Sequence, residues 1–146
     1  MKIKELGHVV LYVTNLEKIS YFYREILGFN QIAKKDAMAV FSTGRTHHEL
    51  LLIEIGGNIN SDKKIKPGLY HIGFKIGDKE EDLKNAIKEL KKHKIIIIGG
   101  ADHTVTKSIY IQDPDENELE LYIDTTDKWK NNPDLIITPP KPLNLL

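Results

Sequence analysis

Apolar and polar residues alternate over residues 6–13, near the start of the chain. Alternation with β-branched residues predicts a β-strand whose side chains point to opposite faces in turn. The two predicted faces are Val9, Leu11 and Val13 on one side, and His8, Val10 and Tyr12 on the other. Thr14 and Asn15 then offer an N-cap for a helix that ends at Gly28. Three further strands are predicted at 29–33, 37–42 and 47–55.

The same pattern starts again at residues 69–76, where His71 takes the place of His8 and Ile72 that of Val9. A second helix is predicted from near Asp78, and three strands at 94–98, 108–112 and 118–123. The strand at 94–98 contains four isoleucines, so we expect it to be buried. An internal repeat of this kind predicts an α+β fold of two βαβββ modules that form a curved sheet cup.

The repeat also predicts the boundaries within the chain. A length of 146 residues fits one domain. We expect a first module at 1–55, a polar linker at 56–68, a second module at 69–124 and a C-terminal tail at 125–146. The tail is rich in proline, so we expect it to add no regular structure and to pack through Trp129 and residues 143–146.

The faces turned away from the helices are expected to line the cup. On this alternation His8, His48, His71 and Glu120 project into it, and His47 points away. In the fourth strand, Leu50, Leu52 and Glu54 would share the side of His48, and Glu49, Leu51, Ile53 and Ile55 the other. Glu118 has the same parity as Glu120, but it lies nearer the turn and is the weaker candidate.

These side chains predict a metal site. The chain has no cysteine, so histidine and carboxylate are the ligands left for a metal. His8, His71 and Glu120 make a set of two imidazoles and one carboxylate, which suits non-haem Fe(II) and leaves positions open. Mn(II) could use the same set, and Zn(II) or Ni(II) suit it less well.

Composition excludes several classes of partner. Lys+Arg and Asp+Glu are both 21, so no net field attracts nucleic acid or a membrane surface. The first residues lack the apolar segment of a signal peptide, and no apolar run approaches the roughly 18 residues of a membrane span. We therefore expect a cytoplasmic protein with a small-molecule partner.

The repeated strand with Gly7-His8-Val9, together with Asp113-Pro114-Asp115 leading to Glu120, resembles the vicinal oxygen chelate superfamily. That superfamily includes glyoxalase I, extradiol ring-cleaving dioxygenases and fosfomycin-resistance thiol transferases. The resemblance covers nearly the full length and implies the same fold, a His/His/Glu metal site and a homodimer. It leaves open whether modules pair within one chain or across the dimer.

Within the superfamily, the chain is most similar to type I extradiol dioxygenases of the catechol 2,3-dioxygenase kind. His103, Tyr110, Asp113-Pro114 and Glu120 follow their C-terminal pattern, although Ala101 and Glu116 depart from it. The resemblance implies Fe(II)-dependent cleavage of a catechol-type diol by dioxygen. It also implies an acid–base role for His48, and it implies that His103 and Tyr110 hydrogen-bond the bound diol.

Other activities of the superfamily remain alternatives. A glyoxalase I-like isomerase needs a fourth ligand in the first module, where Leu52 stands. A fosfomycin-type thiol transferase needs cations for a phosphonate, and the candidates are Arg24, Arg45 and Lys75 on the cup face. A metal-free small-molecule binding protein is the remaining alternative, and the complete ligand set argues against it.

Overall fold

The computed structural model describes residues 5–57 and 69–144, except for the side chain of Pro133. Two compact units divide the chain, Met1–Ile65 and Lys66–Leu146. The elements of the first unit are β1 (Val9–Val13), α1 (Leu16–Tyr21), a π-helical turn (Phe22–Ile26), β2 (Asn30–Lys35), β3 (Met38–Ser42) and β4 (Leu50–Glu54). Its sheet has the order β1-β4-β3-β2, with β1 and β4 parallel and the other pairs antiparallel.

The second unit repeats this plan and adds a strand. Its elements are β5 (His71–Gly77), α2 (Glu80–Lys92), β6 (Gly99–Asp102), β7 (Thr106–Gln112), β8 (Glu118–Asp124), two short 3₁₀ helices (Lys128–Lys130 and Pro133–Ile137) and β9 (Lys141–Pro142). The sheet order is β5-β8-β7-β6-β9, with β5 and β8 parallel. The βαβββ order therefore occurs twice, and the predicted α+β fold is confirmed.

The core of the first unit lies between α1 and its sheet. Asn15 caps α1 as predicted, since its side chain accepts a hydrogen bond from the backbone N–H of Lys18 at 2.8 Å. The backbone N–H of Leu16 also donates to the Glu54 carboxylate at 2.5 Å, which ties the start of α1 to β4. Leu16 and Ile19 of α1, Phe22 and Tyr23 of the π-helical turn, and Phe41, Leu50 and Leu52 of the sheet are all buried. The rings of Tyr23 and Phe41 lie 6.2 Å apart between centroids.

The predicted parity of β4 is wrong. Val9 pairs with Leu50 and Leu11 with Leu52, so these residues share the face that packs on the helix. Leu50 and Leu52 are almost fully buried there. Leu51, which pairs with Val10, therefore lies on the side of the sheet predicted for His8. The predicted strand began at His47, but β4 begins at Leu50. Alternation holds only within a strand, so counting from His47 assigned Leu50 and Leu52 to the wrong face of the sheet.

The predicted strand at 94–98 is also wrong. Lys94 has a φ of 58° and ends α2 in a Schellman-type turn, in which the N–H of Ile95 donates to the carbonyl of Leu90. The chain leaves this turn irregularly, and Ile96 is 75% exposed. Pairing with β7 begins where the N–H of Ile98 donates to the carbonyl of Tyr110, and β6 follows at Gly99.

The tail contains more regular structure than expected. β9 pairs with β6 through Ala101 and Pro142 and through Asp102 and Lys141, and Leu143 is buried as predicted. Trp129 is 37% exposed, and Leu145 and Leu146 lie outside the described residues. Most of the predicted linker, residues 58–68, lies outside them too, and the prediction of a single domain stays a prediction. Over residues 5–57 and 69–144, no helix is long and apolar enough to cross a membrane.

Candidate metal centre

The parallel pair β5 and β8 brings His71 beside two carboxylates. In its register His71 faces Glu118, and Gly73 faces Glu120. Nε2 of His71 lies 3.2 Å from Oε2 of Glu120, and Nδ1 lies 3.7 Å from Oε1 of Glu118. The ring of Tyr70 packs on the imidazole with 4.7 Å between ring centroids. Of the two predicted carboxylates, Glu120 therefore makes the closer approach to the histidine.

Hydrogen bonds connect Glu120 with two residues of β7, and one of these with His103, which precedes β7. Oε1 of Glu120 accepts from the hydroxyl of Ser108 at 2.5 Å and from that of Tyr110 at 3.4 Å. The Tyr110 hydroxyl lies 2.8 Å from Nε2 of His103. Burial, followed by the charge of Glu120, raises the pKa of Tyr110 to about 12. Tyr110 therefore keeps its proton at neutral pH and remains a hydrogen-bond donor.

The donor atoms of this cluster fit a divalent metal. Two ligands at about 2.1 Å from one ion and at a right angle are about 3 Å apart, close to the distance between His71 Nε2 and Glu120 Oε2. Nδ1 of His71 is buried, and no hydrogen bond reaches it from any residue that the structure describes. Its nearest carboxylate oxygen, Oε1 of Glu118, is 3.7 Å away, beyond hydrogen-bond distance, so Nε2 is the nitrogen that the geometry assigns to a metal shared with Glu120.

Three histidines lie together in the first unit. Nδ1 of His47 is 2.5 Å from Nδ1 of His48, and the ring of His48 packs against that of His8 with 4.3 Å between centroids. Partial burial, and then the neighbouring His8 and His47, lower the pKa of His48. The prediction that His47 points away from His48 is wrong, because these residues precede β4 and are not in a strand.

The predicted site residues thus fall into two groups. His71, Glu120, Tyr110 and His103 form one cluster in the second unit, and His8 and His48 are in contact in the first unit. The joining of His8 to His71 and Glu120 remains a prediction from the repeat. Sequence reasoning missed Ser108, although its spacing from Tyr110 in a strand places both side chains on one face.

The first unit offers no carboxylate at the position that corresponds to Glu120. Glu120 of β8 pairs with Gly73 of β5, and the matching pair in the first unit is Leu51 of β4 with Val10 of β1. Glu49 corresponds to Glu118, and its carboxylate accepts from the N–H and the hydroxyl of Thr43. The predicted position of an isomerase's fourth ligand was Leu52; the register places it at Leu51, which is equally unable to bind a metal.

The cations considered for an anionic substrate have carboxylate partners. Nζ of Lys75 lies 2.5 Å from Asp78 and 2.7 Å from Asp124, and these hydrogen bonds raise the pKa of Lys75. Arg24 pairs with Glu25, and Arg45 lies 3.1 Å from Glu5 and 3.6 Å from Glu49. Each of these charges is therefore already balanced within its own unit.

Comparison with known proteins agrees with this geometry at the level of the family. The chain is 32% identical over 119 residues to the catechol-2,3-dioxygenase of Bacillus subtilis (strain 168), and this match covers 82% of the chain but 41% of that protein. It is 34% identical over 122 residues to the metallothiol transferase FosB of Staphylococcus haemolyticus (strain JCSC1435), covering 82% of the chain and 84% of that protein. The chain thus spans less than half of the dioxygenase and most of the transferase.

Solved structures support the fold. A glyoxalase/dioxygenase from Nostoc punctiforme superposes with a TM-score of 0.68 at 22% identity, covering 84% of this chain and 92% of that one. Residues 5–121 match the family described as the Glyoxalase/Bleomycin resistance protein/Dioxygenase superfamily. Members of this superfamily are mostly metalloenzymes, and they bind divalent metals. The chain belongs to this superfamily, the vicinal oxygen chelate proteins, as its sequence resemblance implied.

Proposed function

We propose that this protein is an Fe(II)-dependent extradiol dioxygenase that opens the ring of a catechol-type aromatic diol with dioxygen. The observation that carries the proposal is the continuous cluster of His71, Glu120, Tyr110 and His103. The proposed metal ligands His71 and Glu120 lie at one end of it, and the protonated phenol of Tyr110 lies between Glu120 and His103. Such a phenol can hydrogen-bond a diol held beside the ligands.

We propose His8, His71 and Glu120 as the ligands of the iron. The support for His8 is its place in the repeat, since it directly precedes β1 as His71 begins β5, and β1 and β5 each run parallel to the last strand of their module. A set of two imidazoles and one carboxylate suits Fe(II), and Mn(II) is the second choice.

The bound iron would acidify the diol and activate dioxygen. The protein supplies orientation and proton transfer around it. Tyr110 would donate a hydrogen bond to a diol oxygen, and His103 would fix the direction of that hydroxyl. His48 would accept the proton that the diol releases and return it to the product. Both atoms of dioxygen end in the product, and the carbon–carbon bond beside the diol breaks.

Oxygen uptake tests this proposal. The protein is reconstituted with Fe(II) without air, and oxygen consumption with catechol is compared with that of a His71→Ala variant treated in the same way. We expect uptake and a yellow ring-opened product from the wild type and neither from the variant. Uptake that survives His71→Ala, or a wild type that binds iron and consumes no oxygen with any catechol, would contradict the proposal.

A thiol transferase is a second candidate, and the observation that favours it is similarity. The chain is 34% identical to the Staphylococcus haemolyticus FosB over a match that covers 84% of that protein, and 32% identical to the Bacillus dioxygenase over 41% of that one. The engagement of Lys75 and both arginines by carboxylates argues against an anionic substrate. Consumption of a free thiol in the presence of fosfomycin and Mn(II), without oxygen, would decide for the transferase.

A further inference from the structure

We propose that the first unit contains a metal site of its own, formed by His8, His47 and His48. One nitrogen from each ring lies within 4.8 Å of the other two. No other group of three metal-binding side chains this close occurs among residues 5–57 and 69–144. We call this group the trihistidine cluster. All three residues lie in the first unit, and the cluster shares only His8 with the ligand set of the proposed function, on which it does not depend.

The backbone around the trihistidine cluster is held in place. The guanidinium of Arg45 donates to the carbonyls of Leu6 and Gly7 at 3.2 and 3.0 Å, so the segment before His47 is fastened to the residues before His8. Ser42 donates to the carbonyl of Thr46 at 2.9 Å and closes the same loop. The three imidazoles are therefore brought together by contacts that do not involve the imidazoles themselves.

The distances suit a metal after a small adjustment. Nδ1 of His47 and Nδ1 of His48 are 2.5 Å apart, which is closer than two ligands of one ion lie. Ligands of one tetrahedral ion at about 2.0 Å lie roughly 3.3 Å apart, a value between this short contact and the 4.8 Å limit of the cluster. His8 and His47 are exposed, so their rings can turn towards a common ion.

The chemistry of the trihistidine cluster selects late transition metals. Three neutral imidazoles suit Cu(II), Ni(II) and Zn(II), and the affinity for divalent ions rises towards copper along the first row. The charge of Arg45 is offset by Glu5 and Glu49, so it does not repel a cation strongly. A set with a carboxylate, such as one that includes Glu120, suits iron and manganese better.

His8 belongs both to this cluster and to the ligand set proposed for iron. Because one imidazole cannot serve two ions in two places, a late metal held by the trihistidine cluster would withdraw His8 from iron. Zn(II) or Cu(II) would then inhibit iron loading by competition within the protein, and His47→Ala would weaken that inhibition while leaving all three proposed iron ligands in place.

The test removes the second-unit ligands and measures copper. A full-length His71→Ala/Glu120→Ala double variant is freed of metal with a chelator and titrated with Cu(II), and binding is followed by visible absorption and electron paramagnetic resonance. We expect one equivalent of copper with nitrogen ligands. Adding His47→Ala should weaken binding by more than about 10-fold, since the loss of even an outer-sphere partner costs 10- to 100-fold.

His93→Ala in the same background is the matched control. His93 caps the end of α2 and lies 3.0 Å from Glu89, outside the trihistidine cluster, so this variant should bind copper unchanged. Absence of copper binding in the double variant, or binding that His47→Ala leaves intact, would overturn the proposal. Neither result would bear on iron-dependent activity of the wild type, which the oxygen assay measures separately.

Discussion

Ser108 holds one oxygen of the proposed ligand Glu120 from inside the second sheet. Its side chain is fully buried, and its hydroxyl donates to Oε1 at 2.5 Å, while Oε2 of the same carboxylate faces His71. A carboxylate with one oxygen engaged in this way has a fixed orientation and keeps the other oxygen available. Ser108 therefore acts on the candidate metal centre through Glu120.

Replacement of Ser108 by alanine should weaken metal binding by about 10- to 100-fold, because Glu120 loses the donor that orients it. Mn(II) affinity, measured by competition with a chelating dye, checks this expectation. Ser20→Ala is the matched control, since Ser20 is equally buried and its hydroxyl has no hydrogen-bond partner among the described residues. Equal affinities for the two variants would exclude an orienting role for Ser108.

At this scale the sequence predicted which side chains of the second unit lie together, and their chemical roles stay predictions. It identified His71, Glu120, Tyr110 and His103, which the structure joins in one cluster. It missed Ser108 because a serine in a strand has no chemical pattern that separates it from a structural serine. It also misplaced His47, because alternation is valid only inside a strand, and the loop from Thr43 to Glu49 follows side-chain contacts instead.

The turn between β7 and β8 contains Glu116, which departs from the dioxygenase pattern that the sequence otherwise resembles. Asp113 is buried, and its Oδ1 accepts from the N–H groups of Asp115 and Asn117 at 2.9 Å. Glu116 has a φ of 64°, a left-handed conformation that favours glycine. Glu116 therefore adds strain to the turn, while β7 and β8 pair without a register shift through Glu120.

Glu116→Gly should therefore stabilise the protein by up to about 1 kcal/mol. Relief of the left-handed strain is worth about 1–2 kcal/mol, and the greater freedom of glycine in the unfolded chain offsets part of it. The midpoint of urea unfolding measures the effect. Glu116→Ala keeps a Cβ and hence the strain, so a glycine variant no more stable than the alanine variant would refute the explanation.

A second element-scale contact fastens α2 to β7. Nζ of Lys107 donates to the carboxylate of Glu80 in the first turn of α2, and this hydrogen bond with its charge lowers the pKa of Glu80. A carboxyl whose pKa is lower in the folded state stabilises the fold above its unfolded pKa. That contribution is lost as the pH falls through the folded value.

Lys107→Met should remove this part of the acid sensitivity. Between about pH 6 and pH 3 the melting temperature of the wild type should fall more steeply than that of the variant, because only the wild type loses the ion pair on protonation. Differential scanning calorimetry at several pH values measures the two slopes. Lys88→Met, on the exposed side of α2, should keep the wild-type slope, and parallel slopes for all three proteins would exclude the ion pair as the cause.

The sequence predicted most elements because periodicity and caps determine them. The Asn15 cap, the left-handed Gly28 that follows the helical segment and the β8 strand all appear where the pattern indicated. The errors arose where a neighbouring element decides the conformation. Ile95–Ile98 have high strand propensity, but the Schellman-type turn at Lys94 sets where pairing can begin, and β9 forms because β6 offers a free edge.

At the scale of the whole molecule, the two units have the same topology and different chemistry. Each has a first strand parallel to its last, with a histidine at or just before the start of the first strand. The second unit places Glu118 and Glu120 on its last strand, whereas the first has Glu49 and Leu51 at those positions. The first unit therefore has no carboxylate where the second has the proposed ligand Glu120, and the proposed role of His8 predicts that loss of either His8 or His71 abolishes metal binding.

Mn(II) should consequently raise the melting temperature of the wild type, and either His71→Ala or His8→Ala should abolish the rise. Binding at 100 times the dissociation constant contributes about 2.7 kcal/mol. For a chain of this size that corresponds to roughly 5–10 °C. Mn(II) is the probe because a ligand set that includes the carboxylate of Glu120 binds Mn(II) better than three imidazoles do. His93→Ala should keep the full shift. If His8→Ala keeps it as well while His71→Ala loses it, the second unit binds the metal without His8, and the proposed three-residue ligand set is wrong.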